Sequence, residues 1–563
     1  MDKYEVAQVL RDVASLVELV DENPKKSIAY RRAANAIEIL DNFNELLENN
    51  LLESIPGIGK KISQMIISLI TDNQLSYHTF LKECVPATVL DLANVPGLNL
   101  NKVRTLYKDF KITSLTDLKN ALEQKNLKGA KGFGPSFLAK LEKKLSEQFD
   151  EGNSLLYSKA NHIAEMLLAK LSPVTTKIEI SGALRRKLEI IHEINFLATT
   201  DEQEACRDLF LNHGFVQQVI TAHSSFIKVV LKQGIFATLQ IVEESDFPIS
   251  FLTSTGNERH LKDLEMEASK KGLLLYSDLS RCQEESKIYE ILDLNFIPPE
   301  LREGYGEVEA SKKTNFSDFI KENDLKGTFH CHTIDSDGVH TIEEMANAAI
   351  EMGWEYIGIT DHSKSSYQAN GLSEERLLAQ ISWIRDFNKT LGPHFKIFSG
   401  VECDILKDGQ LDFGKDILKE LDFVIVSMHS LFKLEKDLMT ERMIKAIENP
   451  YTTIIGHLTG RLLRSRDPYA LDISKVIDAC IANDKIIELN CYPNRLDMDW
   501  RYWIQAKERG LKCSINPDAH STDGLRNCIY GVDIARKGWL KKNDVINTFP
   551  LKEMIKFLKK RKP

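Results

Sequence analysis

The second half of the chain contains seven short apolar segments separated by helical patterns, and six of them end in a histidine or a carboxylate. In chain order they are "KGTFHCH", "YIGITDH", "KIFSGVE", "FVIVSMH", "TTIIGH", "KIIELN" and "KCSINPDAH". Regular alternation of strands and helices is typical of a parallel α/β barrel. All strands of such a barrel point their C-terminal ends to one face, so residues far apart in the sequence converge there. The sequence therefore predicts one polar pocket built from several strand ends.

The residues at these strand ends have the chemistry of metal ligands. The candidate ligands are His330, His332, Asp337, His362, Glu402, His429, His457, Asp518 and His520. Any one histidine at a strand end is more often hydrogen-bonded packing than a ligand, but His-x-His, Asp-x-His and seven contributing segments together make a strong pattern. Imidazole with carboxylate selects zinc, manganese or iron over calcium. Nine ligands suggest a cluster of two or three ions, which predicts phosphoester hydrolysis.

The first 150 residues are predicted to be helical, with glycine-containing turns between the helices. These turns are "SIPGIGKKI", "NVPGLNLNKV" and "AKGFGPSFL". A tight turn at a helix start presents free backbone N–H groups, which can bind the phosphates of a nucleic-acid backbone. The candidate DNA-binding residues are Gly57, Gly59, Lys60, Lys61 and Gly97. Ordinary helix-hairpin turns are the alternative, and three related copies favour binding.

The central region contains a candidate two-metal site with an incomplete set of carboxylates. In "ISGALRRKLEIIHEINFLATT", a strand and an arginine pair precede a second strand that carries Glu193 and Asn195. Residues two apart along a strand share a face, as the ligands of a two-metal phosphoryl-transfer site would. Only one of the two is a carboxylate. Three interpretations of this stretch remain at this point: an active site, an abandoned site and a polar edge of the sheet.

Length and composition describe a multidomain globular chain. The 563 residues are too many for one core and predict three or four domains. Neither a membrane-length apolar run nor a signal peptide is expected, and the nine cysteines are scattered without a Cys-x-x-Cys pair, so a cytoplasmic location with reduced thiols is expected. A net charge of −9 argues against a uniformly basic nucleic-acid coat but permits local DNA binding.

The segment "GTFHCHTIDSDGVHTIEEMANAAIEMGWEYIGITDHSKS" closely resembles the opening of the polymerase-and-histidinol-phosphatase (PHP) domain. The resemblance implies that all nine metal-ligand positions of that family are filled. It assigns the ligands as His330, His332, Glu402 and Asp518 to one ion, Glu402, His429 and His457 to a second, and Asp337, His362 and His520 to a third. It also implies that Arg461, in "GHLTGRLLRSRDPY", meets the substrate phosphate as a catalytic residue. A solvated basic loop is the alternative for Arg461.

The whole chain resembles the bacterial family X DNA polymerases, and "IPPELREGYGEVEAS" matches the family's bridge into the PHP domain. The resemblance implies a multidomain fold: an all-α helix-hairpin-helix N-terminal region, an α+β nucleotidyltransferase-like palm and thumb, and a seven-stranded, TIM-like α/β PHP barrel. The predicted domains are 1–80 (lyase-like, helical), 81–150 (fingers-like), 151–305 (palm and thumb), 306–324 (linker) and 325–563 (PHP). The expected partner is DNA, gapped or with a 3′ end.

The palm of that family carries a Gly-Ser turn, an arginine pair, Asp-x-Asp and a third aspartate. The corresponding residues here are Gly182 followed by alanine, Arg185 and Arg186, Glu193 and Asn195, and Thr238. One carboxylate is too little charge to hold two divalent ions about 3.5–4 Å apart, so the polymerase site is predicted to be inactive. The Schiff-base lysine of the lyase members is matched by Met65, with Lys61 as a displaced substitute or a phosphate contact.

These patterns predict a DNA-binding, metal-dependent phosphoesterase that acts as a 3′–5′ exonuclease or processes 3′ ends in DNA repair. Three alternatives remain open at this point. The first is an active family X gap-filling polymerase with a 3′–5′ exonuclease. The others are a DNA-binding scaffold with structural metals and a small-molecule phosphatase.

Overall fold

The structure is a computed structural model in which two compact units, residues 1–152 and 153–563, are described separately. It describes residues 3–20, 24–38, 43–48, 51–55, 57–72, 85, 89, 92, 95, 98–128, 130, 132–142 and 154–563. Among the described helices, none combines the length and the apolar character needed to cross a bilayer.

The described part of the first unit is helical. Its named helices are α1 (Lys3–Val20), α2 (Pro24–Glu38), α3 (Phe43–Glu48), α4 (Lys60–Asp72), α5 (Leu100–Phe110) and α6 (Leu115–Glu123). Val6, Leu10, Val13 and Val17, at helical spacing along α1, are all buried in one core. The side chain of Asn99 caps α5 by accepting from the Lys102 backbone N–H at 3.0 Å.

The second unit begins with a five-stranded sheet in the order β2-β4-β7-β6-β5. The elements of this region are β1 (Leu155–Leu156), α7 (Tyr157–Leu171), β2 (Lys177–Ser181), α8 (Gly182–Arg185), β3 (Ile190–Ile191), β4 (Glu193–Thr199), α9 (Gln203–Leu211), β5 (Val216–Ala222), β6 (Phe226–Leu231) and β7 (Phe236–Ile241). Strands β4 and β7 are parallel, with Asn195 opposite Thr238. Three of the predicted polymerase positions therefore lie on two neighbouring strands.

A group of helices follows this sheet and packs around its own core. The helices are α10 (Phe247–Thr255), α11 (Glu258–Lys270), α12 (Glu285–Ile291) and α13 (Glu307–Ser311). The segment 306–324, predicted as a linker, contains α13 and is packed against this core. Glu307 is fully buried and accepts a hydrogen bond from His260 Nδ1 at 2.7 Å.

The C-terminal region alternates strands and helices. Its strands are β8 (Gly327–Thr328), β9 (Tyr356–Ile359), β10 (Lys396–Ser399), β11 (Glu402–Asp404), β12 (Ile425–Ser427), β13 (Ile454–Ile455), β14 (Ile486–Asn490) and β15 (Lys512–Asn516). Its helices are α14 (Ile342–Glu351), α15 (Glu374–Phe387), α16 (Lys415–Leu418), α17 (Lys436–Ile447), α18 (Ile473–Ala482), α19 (Trp500–Glu508), α20 (Cys528–Lys537) and α21 (Leu551–Arg561). Each of the seven predicted segments contains a strand, and the third also reaches the first residue of β11.

These strands form two parallel sheets, in the orders β10-β9-β8 and β11-β12-β13-β14-β15. Isolated parallel bridges join them where the strands end, between Cys331 and Ala519 and between His362 and Glu402. The closed seven-stranded barrel stays a prediction. Because the strands are parallel, their C-terminal ends lie on one side of the region, where the candidate ligands follow them.

The opposite ends of these strands are filled by apolar side chains. Tyr356, Ile425, Ile454 and Ile486 are the first residues of their strands, and all are buried in one cluster. Helix α21 packs on this cluster through Leu551, Met554 and Leu558. This cluster therefore occupies the N-terminal ends of the strands, opposite the ends that the candidate ligands follow.

Candidate metal centre

All nine candidate ligands lie at the C-terminal side of the two parallel sheets. His330 and His332 follow β8, His362 follows β9, Glu402 begins β11, His429 follows β12, His457 follows β13, and Asp518 and His520 follow β15; Asp337 lies in the loop before α14. Eight of them fall into three groups whose ligand atoms lie within 4.8 Å of one another. The groups are His332, Asp337, His362 and His520; His330, His332 and Asp518; and His362, Glu402 and His429. The structure thus brings together residues almost 200 positions apart.

Glu402 lies at the centre of this cluster and is almost fully buried. Its Oε1 is 2.8 Å from His457 Nε2 and 3.3 Å from His429 Nε2. Its Oε2 is 2.9 Å from His362 Nδ1. Glu402 therefore connects His457, the one candidate outside the three groups, to the rest of the cluster.

The cluster is open to solvent on the side of Asp337. The Asp337 side chain is 33% exposed, and its Oδ2 lies 3.4 Å from His520 Nε2 and 3.6 Å from His362 Nε2. Asp518, deeper in the cluster, has its Oδ1 3.2 Å from His332 Nε2. A substrate would therefore approach past Asp337 and His520.

Two further carboxylates support the histidines from behind, and the sequence did not single them out. Glu488, on β14, is fully buried and accepts a hydrogen bond from His330 Nδ1 at 2.6 Å. Asp404, on β11, accepts from His429 Nδ1 at 2.6 Å. A ligating histidine usually donates its other ring N–H to a carboxylate, which orients the ring. That rule, applied to the sixth segment "KIIELN", is the signal that would have found Glu488.

Asp361, beside His362, supports the loop that follows β8. Its carboxylate accepts hydrogen bonds from Thr333 N at 2.7 Å and from Gln380 Nε2 at 2.7 Å. Thr333 directly follows the His-x-His pair. Asp361 therefore holds the loop that carries His332 in place.

The protonation of the cluster is governed by its buried carboxylates. Burial would lower the pKa of His362, but Glu402 and Asp337 raise it to about 11. Burial likewise would raise the pKa of Glu402, and His429 and His362 hold it well below its usual range. The buried carboxylates therefore attract the neighbouring imidazoles. The same negative charge would attract a metal cation.

The side chains present fit divalent transition-metal ions. His330 Nε2, both ring nitrogens of His332 and His457 Nδ1 are buried without a well-formed hydrogen bond. Buried polar atoms are normally satisfied, so unsatisfied ring nitrogens that converge with carboxylates indicate a ligand site. Burial, with His520 and His362 nearby, lowers the pKa of His332 to about 4, which favours its neutral form.

Arg461 is held by protein groups next to the cluster. Its Nε donates to the Arg495 carbonyl at 2.8 Å, its Nη1 contacts Asp499 Oδ2 at 2.7 Å, and its Nη2 donates to the Leu496 carbonyl. The side chain is only 8% exposed, so it is not part of a solvated loop. Its donors point at protein groups.

Arg495 was missed by the sequence interpretation and lies beside the candidate ligand Asp518. Its Nε is 3.6 Å from Asp518 Oδ2, and its buried Nη1 has no hydrogen-bond partner. A guanidinium with an unsatisfied donor suits a phosphate oxygen. An arginine shortly after the sixth segment, in "NCYPNR", is the available sequence signal.

The three predicted polymerase positions lie side by side in the central sheet, and each is paired within the protein. Asn195 Nδ2 donates to Thr238 Oγ1 at 2.8 Å. Glu193 Oε1 forms an ion pair with Lys228 Nζ at 2.8 Å. Gly182 has a positive φ of 67°, and a side chain there would clash with Asn195. The Gly-x turn is therefore retained next to a site with one carboxylate.

The neighbouring arginine pair is bound to carboxylates of the helical region that follows the sheet. Arg185 Nη2 is 2.8 Å from Glu285 Oε2, and Arg186 Nε is 3.1 Å from Glu303 Oε1. Arg302 also contacts Glu285, at 2.5 Å. Both arginines of the pair are thus used in internal ion pairs.

In the first unit, the described part of the glycine turn before α4 has the expected geometry. Gly57 has a φ of 92°, a conformation that favours glycine, and Gly59 is exposed. Lys60 and Lys61 are exposed at the start of α4. Gly97 lies outside the described residues. Met65, at the predicted lyase position, is half-buried, with its Sδ 3.6 Å from Tyr30 Oη.

Comparison with known proteins matches three parts of the chain to family models. Residues 1–75 match a helix-hairpin-helix domain, residues 250–303 match the DNA polymerase beta thumb, and residues 328–491 match the PHP domain. The PHP match covers seven of the nine candidate ligands. The matched PHP domain identifies the chain as a hydrolytic phosphoesterase.

Two kinds of relative emerge from the comparison of whole sequences. This chain is 30% identical to a probable phosphatase of Thermoanaerobacter sp. (strain X514). That alignment spans 247 residues, which are 41% of this chain and 94% of the phosphatase. Over 573 residues, covering 100% of both chains, this chain is 33% identical to the DNA polymerase/3′-5′ exonuclease PolX of Bacillus subtilis (strain 168). Because this second similarity runs through the helical, thumb and PHP regions alike, the chain belongs to the family X DNA polymerases with a C-terminal PHP domain.

Proposed function

We propose that this protein is a DNA-binding, metal-dependent phosphoesterase that removes nucleotides from 3′ ends during DNA repair, and that its polymerase site is inactive. The observation that carries the proposal is the convergence of nine histidines and carboxylates at one set of strand ends, with buried ring nitrogens that lack hydrogen bonds. The helix-hairpin-helix region and the thumb would hold the DNA.

The proposed cofactors are two or three ions of manganese, zinc or iron. The residues that would hold them are His330, His332, Glu402 and Asp518 for the first, Glu402, His429 and His457 for the second, and Asp337, His362 and His520 for the third. Bound divalent ions supply Lewis-acid stabilisation of phosphoryl oxygens and activation of a water molecule. Glu488 and Asp404 keep His330 and His429 in the orientation that this requires.

The chain's own residues would position the scissile phosphate. The unsatisfied Nη1 of Arg495 would bind a nonbridging phosphate oxygen beside Asp518. The carboxylates of the cluster repel a bare polyanion, so this guanidinium would offset that repulsion. The exposed edge at Asp337 gives the 3′ end a route into the cluster.

The proposed inactivity in synthesis follows from charge. A nucleotidyltransfer site holds two divalent ions with several carboxylates, and Glu193 supplies one. That carboxylate is already paired with Lys228, and Asn195 and Thr238 pair with each other. The lysine supplies positive charge at the place where ions would have to bind.

One assay separates hydrolysis from synthesis. Wild type, His330→Ala and Glu193→Ala are incubated with 5′-labelled gapped DNA and Mn²⁺, with and without deoxynucleotides, and bound metal is measured for each. We expect wild type and Glu193→Ala to shorten the primer under both conditions, and His330→Ala to lose both hydrolysis and bound metal. Template-dependent extension that disappears in Glu193→Ala but survives in His330→Ala would contradict the proposal.

A small-molecule phosphatase is a second candidate, favoured by the probable phosphatase that aligns with the C-terminal region at 30% identity. The two candidates differ in substrate. Hydrolysis of p-nitrophenyl phosphate with no release of nucleotides from single-stranded or gapped DNA would favour the phosphatase.

A further inference from the structure

Glu189 belongs to the palm but contacts the PHP domain beside the metal centre. It lies in the turn between α8 and β3 and is 6% exposed. Its carboxylate accepts hydrogen bonds from Trp500 Nε1 at 3.3 Å and Arg501 Nη1 at 3.1 Å, and lies 3.7 Å from Arg461 Nη2. All four residues are in the same compact unit. The palm turn thus reaches three residues of the PHP domain.

The residues that Glu189 contacts hold the segment that carries Arg495. Arg461 donates to the backbone carbonyls of Arg495 and Leu496, and also pairs with Asp499. Arg495 in turn lies 3.6 Å from Asp518. A short series of direct contacts therefore runs from Glu189 through Arg461 and Arg495 to a candidate metal ligand.

The charges in this network balance only when Glu189 is included. Arg461 and Arg501 are two guanidinium groups, and Glu189 and Asp499 are the two carboxylates that contact both of them. Without Glu189, Asp499 alone would face two cations, and the buried Trp500 indole would lose its acceptor. Arg461 could then move, which would alter its hydrogen bond to the Arg495 backbone carbonyl.

The two domains remain joined at other points nearby. Lys187, two residues before Glu189, forms an ion pair with Asp533 of α20. Lys537, also of α20, contacts Glu303 at 2.9 Å and the Arg186 carbonyl at 2.9 Å. Loss of Glu189 therefore leaves other contacts between the palm and the PHP domain in place.

We infer that Glu189 is a positioning residue of the phosphoesterase centre: the palm, through Glu189 and Arg461, holds Arg495 where it meets the substrate phosphate. The inference rests on the proposed function and extends it, because it gives the palm a role in hydrolysis. A misplacement of about 1 Å in such a group reduces rates by up to about a hundredfold.

The test compares full-length Glu189→Gln with Lys187→Met, a matched control that removes an ion pair between the same palm turn and the PHP domain. We expect Glu189→Gln to lower kcat/KM on a single-stranded oligonucleotide about tenfold or more, with wild-type bound metal. Hydrogen exchange of residues 491–501 should rise in Glu189→Gln and stay unchanged in Lys187→Met. Because Glu189 acts through Arg461, the double variant Glu189→Gln/Arg461→Met should be no slower than Arg461→Met.

Unchanged kcat/KM in Glu189→Gln would overturn the inference, even if exchange in the segment rose, because Glu189 would then serve packing alone. Equal losses in both single variants would overturn it too, since they would reflect weakened domain packing. A wild type that hydrolyses no DNA would overturn the proposed function itself. Hydrogen exchange separates the two failures, because it measures whether Glu189 restrains residues 491–501 and does not depend on hydrolysis.

Discussion

The PHP metal centre and the palm site both gather polar side chains on neighbouring strands, but they differ in how those side chains are satisfied. In the metal centre, ring nitrogens of His330 and His332 are buried without well-formed hydrogen bonds. In the palm, Asn195 pairs with Thr238 and Glu193 pairs with Lys228. Glu193 Oε1 is itself buried without a well-formed hydrogen bond, but Lys228 balances its charge, so the two sites differ in whether protein groups or a bound ion would complete them.

The physical reason is the cost of leaving polar atoms buried and unpaired. A site that binds ions keeps its donor atoms directed at a common point, and the ions satisfy them. A site without ions is more stable when its groups pair with one another, as Arg185 does with Glu285 and Arg186 does with Glu303. Internal pairing of this kind supports the proposal that the palm groups serve the protein's framework.

The largest effect that tests this comparison is expected at Glu285, which binds both Arg185 and Arg302. Glu285→Gln should lower the free energy of unfolding at pH 7 by about 3–5 kcal/mol, because it leaves two guanidinium groups with too little negative charge in a buried place. Burial would raise the pKa of Glu285, but the two arginines lower it to about 2. Denaturant unfolding of both proteins measures the difference.

The pH dependence of that difference follows from the lowered pKa. A carboxyl group with a depressed folded-state pKa stabilises the protein above its unfolded pKa of about 4.3, and this contribution is lost as the pH falls towards 2. The gap between wild type and Glu285→Gln should therefore be full at neutral pH and shrink below about pH 4. A difference in unfolding free energy that is small at pH 7, or constant down to pH 2, would contradict this account of the palm.

A smaller effect is expected in the metal centre, where Glu488 orients His330 from behind. Glu488→Gln should lower metal affinity and hydrolysis by about 10–100-fold, because the amide is a weaker acceptor for the His330 ring N–H. Metal titration followed by activity measurement checks this. Excess metal should restore part of the activity, whereas Glu508→Gln, at the end of helix α19, should match wild type. If Glu488→Gln bound metal as tightly as wild type, Glu488 would have no role in the metal site.

The smallest effect is expected in the first unit, where DNA binding should be separate from catalysis. If Lys60 and Lys61 each contact one phosphate, Lys60→Ala/Lys61→Ala should reduce the slope of log affinity against log salt by about 2. Fluorescence anisotropy with DNA at several salt concentrations measures the slope. Metal content should stay at the wild-type value. An unchanged slope would assign the glycine turn at Gly57 to packing.

The residues that meet in the metal centre were predictable because strand ends of parallel sheets lie on one side. His330, Glu402 and Asp518 follow β8, β10 and β15, and this shared position at the C-terminal ends of parallel strands implied their proximity. The residue types at Asn195 and Thr238 were equally visible in the sequence, and the inactivity inferred from them stays a proposal. Glu193–Lys228 was not predictable, since it joins β4 to β6, which are not neighbours in the sheet order.

The sequence by itself determined which imidazole and carboxylate groups follow the strands, because residue type and strand periodicity are local properties. Only the tertiary structure decided which groups support and which act. Glu488 behind His330, Arg495 beside Asp518 and Glu189 against Arg461 are contacts between segments distant in the chain. Their partners depend on how whole domains pack, and no pattern along the chain encodes that packing separately.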